Sequence, residues 1–565
     1  MNELLGKPIL TQSTGSFNTR RLSAAHLAAD SFSYLLRHHM GYFLRMRRSF
    51  IEINAEFQKA LDVMEGTNRH IFITGKAGTG KSTLLEYFRQ NTRKEVAVLA
   101  PTGVAALNVQ GQTIHSFFGF KPTITPEKVK RMAGPEARIY KEFDTIIIDE
   151  ISMVRADLLD CVEKFLRLNG PYRKQWFGGV QMIFVGDLYQ LPPVVASSER
   201  EIFTHRYDSP YFFSAQVFKE KSFEIEFIEL EKVYRQTEQD FIELLNAIRN
   251  RTCTDDDIER LNRNHRPDAP YPTDGFYITL TTTNDLAAKR NLEMLEALPD
   301  RAFTLPGKTS GVFDRSSLPA EEALILKPGA QVMLVNNDKY GRWVNGTLGT
   351  VKGLSRMDGE DDRVLVRLDD GKMVEVTPNM WELFEYQYDR KTKGISTRTT
   401  GTFIQYPIRL AWAVTIHKSQ GKTFDRVIID MGRGAFAHGQ VYVALSRCTN
   451  FNGIFLTKMI SKGHIRMDWR VAKFLTTFQY EKADERSSYD ERSAIIMDAI
   501  RRDLAIEIIY LKPNDTKSCR TIRPLSIEPM EFKGRQFEGL RAYCELRKEE
   551  RTFRIDRILE INYTT

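Results

Sequence analysis

The sequence predicts an α/β protein with two parallel-sheet domains, a small inserted β-barrel and a C-terminal small β-barrel domain. Three observations support this fold class. Between residues 51 and 195, short apolar strands alternate with helical stretches, as in βαβ units. Between 328 and 382, short strands are separated by Gly and Asp-Gly turns, which are typical of antiparallel hairpins. A polar segment then separates the last part of the chain, which is long enough for a small module.

Composition limits the possible classes of protein. A chain of 565 residues exceeds a single hydrophobic core, and its net charge of +8 favours a polyanionic partner. No apolar run has membrane-spanning length, which excludes a membrane partner at this stage. The five cysteines form no CxxC pair, so neither a zinc site nor a disulfide framework is indicated, and we expect a reducing cytoplasm.

The predicted organisation follows the order of these patterns. Residues 1–50 are Arg-rich and predict a weakly ordered basic tail, with a targeting peptide or a basic arm touching nucleic acid as alternatives. The first parallel-sheet domain is predicted at 51–225, with a small basic insertion near 120–140. The second is predicted at 226–480, with the barrel inserted at about 340–405. A linker at 481–490 and a module at 491–565 complete the chain.

The run GKAGTGKST, residues 75–83, follows a predicted strand and precedes a predicted helix, as a phosphate-binding P-loop requires. Its glycines let backbone N–H groups face phosphates. Lys81 would reach the β- and γ-phosphates, and Ser82 would ligate Mg²⁺. The predicted nucleotide contacts in this run are Gly75, Lys76, Ala77, Gly78, Thr79, Gly80, Lys81, Ser82 and Thr83.

Two later runs complete the predicted ATP site. In TIIIDEIS, Asp149 follows a strand and can hold Mg²⁺, while Glu150 beside it can activate the attacking water. In GDLYQLPPV, Gln190 suits a sensor of the γ-phosphate, although Gly-Asp and Pro-Pro also occur in ordinary surface turns. Their order after the P-loop favours an ATP hydrolase.

Three further runs are VYRQ at 233–236, AWAVTIHKSQG at 411–421 and VYVALSRC at 441–448. With the P-loop and the acidic runs, they resemble the motif series of superfamily 1 helicases, and more narrowly the Pif family and its RecD-like relatives, over about 51–460. The resemblance implies two RecA-like domains with ATP and Mg²⁺ between them and a single DNA strand across their top. It also implies ATP-driven movement from 5′ to 3′. We expect the motor to be monomeric.

The same resemblance implies roles for individual residues near the nucleotide. Gln58 would recognise adenine, unless it is a solvated helix glutamine. Arg235 and Arg447 would be arginine fingers from the second domain, and Gln420 with Gly421 would lie near the nucleotide. Thr415, His417 and Lys418 would lie on the strand-binding side.

Other residues are candidates for contacts with nucleic acid. Thr102, Gly103, Thr113 and His115 can bond phosphates, and Phe118 can stack on a base or belong to the core. By the same resemblance, the basic insertion near 120–140 would abut the duplex junction, with a solvated helix face as the alternative. Further candidates on the inserted barrel are Trp343, which is alternatively a packed aromatic, Asn345, Gly346, Lys391, Lys393 and Arg398.

The segment 491–565 resembles the WYL domain family, although its eponymous Trp-Tyr-Leu is replaced by Ile509, Tyr510 and Leu511. Arg523, Tyr543 and Arg554 match the polar pocket of that family, and their composition suits a nucleic-acid or nucleotide phosphate. Docking onto the motor is the alternative role for this module.

The combined prediction is an ATP-dependent DNA helicase and single-strand translocase that acts on single-stranded DNA and DNA junctions. The expected location is the bacterial cytoplasm, in association with the nucleoid. Two alternatives remain open: a nucleic-acid-binding regulator that uses ATP as a switch, and an RNA helicase of the same superfamily.

Overall fold

The computed structural model describes residues 53–564 except 196–198, 200–202, 268–274, 312–317, 357–360, 390–393, 433, 435–436 and 533. The predicted basic tail and the candidates Lys391 and Lys393 therefore lie outside the described residues. None of the helices in the described ranges is long and apolar enough to cross a membrane.

The first domain is built on a parallel sheet. Its strands are β1 His70–Gly75, β2 Val96–Ala100, β3 Gln112–Thr113, β4 Thr145–Ile148, β5 Gln181–Val185 and β6 Ile225–Leu230. They lie in the order β3-β2-β4-β5-β1-β6. Strand β6 pairs in parallel with β1, with His70 opposite Ile225. The predicted boundary between residues 225 and 226 is therefore wrong, because an isolated apolar run does not reveal which sheet it joins.

Helices cover both faces of this sheet. The first-domain helices are α1 Ala55–Gly66, α2 Lys81–Asn91, α3 Gly103–Asn108, α4 Ile114–Phe118 and α5 Ala156–Asn169. Helices α1 and α2 bury Met64, Leu84 and Phe88 against one face. The predicted basic insertion contains two short 3₁₀ turns, Pro126–Lys128 and Pro135–Lys141.

The second domain combines a parallel sheet with a large antiparallel insertion. Its helices are α6 Gln239–Arg249, α7 Asp255–Asn262, α8 Asn284–Glu296 and α9 Gln440–Leu445. Its strands are β7 Ile278–Thr281, β8 Phe303–Pro306, β9 Lys308–Gly311, β10 Ala323–Leu326, β11 Gln331–Leu334, β12 Leu348–Ser355, β13 Arg363–Leu368, β14 Met373–Val376, β15 Asn379–Asp389, β16 Gly394–Gln405, β17 Ile408–Leu410, β18 Ala413–Thr415, β19 Val427–Asp430 and β20 Ile454–Leu456. The parallel sheet has the order β18-β7-β19-β20.

The insertion is larger than the predicted 340–405. A five-stranded antiparallel sheet has the order β14-β13-β12-β11-β17, and the long hairpin β15–β16 pairs with β9. The hairpin also reaches the first domain. Tyr386 lies 5.3 Å from Phe143 between ring centroids, and the side-chain amide of Gln112 donates a hydrogen bond to the carbonyl of Phe384.

The predicted linker at 481–490 is wrong, because this segment is helical. Helix α10 Trp469–Arg486 is followed almost directly by α11 Tyr489–Arg502, and Ser488 forms a capping box with Glu491 at the start of α11. Lys482 within this segment donates to Glu226 of the first domain at 2.8 Å. The polar residues that suggested a linker therefore form a solvated helix face and ion pairs.

The C-terminal module is an antiparallel sheet packed on α11. Its strands are β21 Ile506–Leu511, β22 Lys517–Phe532, β23 Arg535–Cys544, β24 Glu549–Arg554 and β25 Ile558–Tyr563, in the order β24-β23-β22-β21-β25. Ile496 of α11 is fully buried together with Ile508 and Ile522 of the sheet. The module thus has a hydrophobic core of its own.

Candidate nucleotide and nucleic-acid site

The P-loop lies between β1 and α2, as predicted. Gly78 adopts a φ of +82°, and a Cβ there would lie 2.5 Å from the Cβ of Arg235, so only glycine fits. The Nζ of Lys81 donates to the carbonyls of Gly75 at 2.7 Å and Lys76 at 2.9 Å. The remaining predicted loop residues lie in the same turn or at the start of α2: Ala77, Thr79, Gly80, Ser82 and Thr83.

Three carboxylates act on Lys81 from the same edge of the sheet. Asp149 and Glu150 follow β4, and Asp187 follows β5, so parallel strands deliver them to one side. Burial lowers the pKa of Lys81, and the charges of these carboxylates oppose that shift. Burial raises the pKa of Glu150, and the neighbouring Asp149 carboxylate raises it further.

The acidic pair suits a divalent cation. Burial also raises the pKa of Asp149, so its charged form would gain from a bound cation. Ser82 is an exposed residue in the first turn of α2. Among the described residues, no group of three His, Cys, Asp or Glu side chains forms a metal cage.

The second domain forms hydrogen bonds with two backbone groups of the P-loop. The N–H of Ala77 donates to the hydroxyl of Tyr442 in α9 at 2.9 Å. The carbonyl of Gly78 accepts from the N–H of Tyr234 at 2.9 Å. The loop that would hold phosphates therefore lies directly against residues of the second domain.

Arg235 and Arg447 lie at this contact. The half-buried Arg235 donates to the Ser446 carbonyl at 3.1 Å, and the buried Arg447 donates from Nε to the Val443 carbonyl at 3.0 Å. Burial lowers the pKa of Arg447 to about 9, and the charge of Arg235 contributes. Within the described ranges, neither these arginines nor Lys81 has a carboxylate oxygen within 4.0 Å. A desolvated cation without a paired carboxylate is stabilised by a bound anion, so this contact favours an anionic ligand.

The predicted sensor Gln190 is buried beside this cluster. Its Nε2 donates to Asp187 Oδ2 at 3.3 Å, and its Oε1 accepts from Gln420 Nε2 at 3.5 Å. Gln420 thus contacts the predicted sensor, and its position near the nucleotide stays a prediction. Gly421, next to it, is exposed with a φ of +75°.

Sequence reasoning missed two residues of this site although both lie in recognised runs. Asp187 is the acid of GDLYQ, and a buried acid after a strand end is a signal for a functional carboxylate. Tyr442 lies in VYVALSRC, where its apolar neighbours suggest a core residue. Its hydroxyl contact with the P-loop depends on how the two domains meet.

Comparison with known proteins decides the family. A PIF1-like helicase family model matches residues 52–259, and a WYL domain model matches 491–562. The ATP-dependent DNA helicase Pif1 of Bdellovibrio bacteriovorus is 32% identical over 440 residues, which are 76% of this chain and 93% of that protein. The chain belongs to the PIF1-like helicase family.

Two further relatives agree with this PIF1-like assignment. The ATP-dependent DNA helicase PIF1 of Mus musculus is 35% identical over 456 residues, or 78% of this chain, which spans 65% of the length of the mouse protein. A crystal structure of Bacteroides Pif1 with ADP-AlF3 and single-stranded DNA is 38% identical, with a TM-score of 0.56. That match covers 76% of this chain and 97% of the Bacteroides chain.

In the first domain of this PIF1-like protein, two threonines cap adjacent helices. Thr102 Oγ1 accepts from the N–H of Ala105 at 3.2 Å, and Thr113 Oγ1 accepts from the N–H of Ser116 at 3.1 Å. Each hydroxyl keeps its own O–H for a phosphate. The neighbouring candidates Gly103 and His115 are partly exposed on the same short helices.

In the second domain, the structure separates the three predicted strand contacts. Lys418 is exposed and His417 is half-buried. Thr415 is only 4% exposed, and its Oγ1 accepts from the N–H of Lys418 at 3.2 Å. The prediction of a direct contact by Thr415 is therefore wrong, because this residue ends β18 and shapes the turn from inside.

Two aromatic candidates are also packed inside. Phe118 is 3% exposed and packs against Phe165 at 5.1 Å between ring centroids. Trp343 is 6% exposed, and its indole N–H donates to Asn336 Oδ1 at 3.0 Å. The stacking prediction for Phe118 and the backbone contact of Trp343 are wrong, since both side chains are enclosed by protein.

The remaining motor candidates keep polar partners. Asn345 donates from Nδ2 to Asn108 Oδ1 at 3.2 Å and accepts from Lys422, so it links the insertion to the first domain. Arg398 is ion-paired with Glu385. Gln58 is exposed on α1 and donates to Asp62 Oδ1 at 2.7 Å, as a solvated helix glutamine does. Its contact with adenine stays a prediction.

The WYL-like candidates are engaged with acids of their own module. Arg523 is ion-paired with Asp503 at 3.2 Å, and Arg554 is ion-paired with Asp556 at 2.5 Å. Tyr543 lies opposite Arg523 in the β22–β23 ladder. A phosphate would have to compete with these carboxylates, so a phosphate site here stays a prediction.

Proposed function

We propose that this chain is an ATP-dependent DNA helicase that moves as a monomer from 5′ to 3′ on single-stranded DNA. The observation that carries this proposal is the convergence of Lys81, Arg235 and Arg447 at the P-loop, where no carboxylate oxygen of the described residues lies within 4.0 Å of their nitrogens. These cations come from both RecA-like domains. A nucleotide triphosphate between the domains would therefore be contacted from two sides, as hydrolysis coupled to domain closure requires.

The chemistry is assigned to residues by their surroundings. Glu150 is the general base for the attacking water, because its environment favours accepting a proton near neutral pH. Ser82 and Asp149 would hold Mg²⁺, which neutralises charge on phosphate oxygens when it is bound. Gln190 is held by hydrogen bonds with Asp187 and Gln420 and would sense the γ-phosphate.

Arg235 and Arg447 supply the positive charge that stabilises the transferring phosphoryl group. Both are anchored to the backbone near Ser446, so they move with the second domain. Positive charge from this domain reaches the nucleotide fully only when the two domains close. Hydrolysis is thereby tied to closure.

The run 411–421 connects ATP hydrolysis and domain closure to the DNA strand. Lys418 is exposed at one end of the turn, and Gln420, two residues later, contacts Gln190. Thr102 and Thr113 present hydroxyls from the first domain. A strand held by both groups would be advanced when the domains open and close.

The deciding experiment measures unwinding of 5′-tailed and 3′-tailed duplexes of DNA and RNA, with and without ATP. We expect unwinding only with ATP and a 5′ single-stranded DNA tail. Unwinding from a 3′ tail would contradict the polarity, and equal activity on RNA would favour an RNA helicase. Strand binding that responds to ATP without unwinding would instead support a switched regulator.

A further inference from the structure

A buried arginine joins the C-terminal module to the ATP site. Arg249, at the end of α6, is 4% exposed, and its guanidinium lies 3.9 Å from the centroid of the Tyr189 ring. Its Nη2 is 3.8 Å from Asp187 Oδ1, and its Nη1 is 3.5 Å from Asp515 Oδ2. The two carboxylates come from different domains.

Asp515 belongs to the turn between β21 and β22 of the module. It is 7% exposed, with a left-handed φ of +60°. Its Oδ2 accepts from the Tyr189 hydroxyl at 3.1 Å and its Oδ1 accepts from Gln479 Nε2 at 2.8 Å. Its backbone carbonyl accepts from Asn250 Nδ2 at 3.0 Å. The tip of this hairpin is therefore inserted among residues of the motor.

Ion pairs outside this pocket hold the same hairpin in place. Lys517, at the start of β22, is 3.0 Å from Glu229 and 2.5 Å from Glu231 at the end of β6. Strand β6 lies beside β1, which leads into the P-loop. The module is thus fixed to the strand next to the nucleotide-binding strand.

The contacts continue from Asp515 to the predicted sensor. Tyr189 and Arg249, which meet Asp515, also meet Asp187: the N–H of Tyr189 donates to Asp187 Oδ1 at 3.1 Å. The other oxygen of Asp187 accepts from Gln190 at 3.3 Å. A single network therefore runs from the module to the side chain beside the phosphates.

The charges explain why the second carboxylate matters. A buried guanidinium needs anionic partners, and breaking a buried pair is strongly unfavourable. Without Asp515, Asp187 would be the one carboxylate left within 4.0 Å of Arg249 among the described residues, and Asp187 also acts on Lys81 and holds Gln190. Sharing the guanidinium with Asp515 leaves Asp187 oriented toward the P-loop.

We propose that Asp515 is a positioning residue for ATP hydrolysis, through which the docked WYL-like module holds Asp187 and Gln190 in their working arrangement. This inference rests on the proposed ATP hydrolase function. It gives the module a role inside the catalytic cycle that does not require the module to touch DNA.

The test is the steady-state ATPase of full-length Asp515→Asn with saturating single-stranded DNA. Asparagine tolerates the left-handed backbone, so the substitution removes mainly the charge. We expect kcat to fall about tenfold while KM for ATP changes less than about twofold. An unchanged kcat, or a loss confined to KM, would overturn the proposal.

Asp503→Asn is the matched control. Asp503 lies in the same module, also has a left-handed backbone, and its side chain is 77% exposed in an ion pair with Arg523. We expect its kcat to equal that of the unaltered protein. If Asp503→Asn lowers kcat as much as Asp515→Asn, the effect belongs to the module in general and the proposal fails.

A double-mutant cycle with Arg249→Met separates positioning from folding. Once the guanidinium is absent, Asp515→Asn should lower kcat by clearly less than it does in the unaltered protein, because the charged link is gone and only the Tyr189 link remains. If the two substitutions lower kcat independently, so that their fold-losses multiply, the proposed network is contradicted.

Tyr189→Phe offers a milder variant that removes only the hydroxyl bonded to Asp515, and it should lower kcat without changing DNA affinity. A lack of ATPase in the unaltered protein would refute the proposed function itself.

Discussion

Two regions of contact border the first RecA-like domain beside the candidate nucleotide site, and each contains buried or half-buried arginine from the second domain. At the P-loop, Arg235 and Arg447 of the second domain donate to backbone carbonyls and to the Ser446 hydroxyl. At the C-terminal module, Arg249 lies between Asp187 and Asp515. Among the residues that the structure describes, the two arginines of the first region have no carboxylate oxygen within 4.0 Å, whereas the arginine of the second region has two carboxylate partners.

The difference identifies the role of each region. A desolvated cation without a paired carboxylate is costly unless an anion joins it, so the first region has the chemistry expected of the proposed nucleotide site. A cation between two carboxylates is satisfied by protein and serves to hold its neighbours. Arginine alone does not distinguish binding from positioning, but its partners do.

The largest effect is expected at the P-loop. Lys81→Ala should lower DNA-stimulated ATPase by about 100-fold or more, because the substitution removes the charge directed at the β- and γ-phosphates. The measurement is phosphate release with saturating single-stranded DNA. Lys372→Ala is the matched control, since Lys372 is a surface lysine whose side chain pairs with Asp370. Normal turnover in Lys81→Ala would remove the basis for a ligand site.

Arg447→Ala should follow, with a loss of kcat of about 100-fold. Nucleotide binding should persist, because the P-loop is intact, and a fluorescent ATP analogue measures it. Arg541→Ala is the control, as Arg541 is an exposed arginine paired with Glu550. A variant that loses binding and hydrolysis equally would show that Arg447 stabilises the bound nucleotide and not the transition state.

The pH dependence of hydrolysis tests Glu150. Burial and Asp149 raise its pKa, and a general base must be unprotonated, so kcat should fall as the pH is lowered through neutrality. Glu150→Gln should be about 100-fold slower and should lack this dependence. A flat profile between about pH 6 and 8 in the unaltered protein would mean that Glu150 is not the base whose protonation limits the rate.

The smallest effect is expected on the strand side. Lys418→Ala should weaken DNA affinity about threefold and reduce the salt dependence of binding, since one phosphate contact is lost. Binding of the fluorescent ATP analogue without DNA should be unchanged. Equal losses of DNA and nucleotide binding would place Lys418 in the ATP site. Lys418 would then be a third source of positive charge at that site, besides the P-loop lysine and the two arginines.

Much of the nucleotide site could be predicted from the sequence because its chemistry requires fixed local spacing. The P-loop, Asp149 with Glu150, and Gln190 each follow a short apolar strand, and parallel strands bring their ends to one edge. The strand-facing residues were less predictable. Thr415 and Phe118 have suitable side chains for DNA, but burial depends on packing partners far away in the chain.

The predicted domain boundary and the predicted linker were wrong for a related reason. Strand β6 belongs to the first sheet although it is adjacent in sequence to the second domain, and residues 481–486 are helical although they look like a linker. Composition describes the solvated face of such a helix and not the face that packs. Pairing across the sheet and docking of the module are decided by contacts between distant segments.

By itself, the sequence determined that this protein has a P-loop motif after a strand, a motif series like that of PIF1-like helicases and a WYL-like end. Only the tertiary structure decided that Tyr442 reaches the P-loop and that Asp515 meets Arg249 and Tyr189. Local motifs can be recognised in the sequence because phosphate chemistry fixes the order and spacing of their residues. Asp515 and Arg249 are separated by 265 intervening positions and carry no motif, so their pairing arises only when burial brings the two charges together.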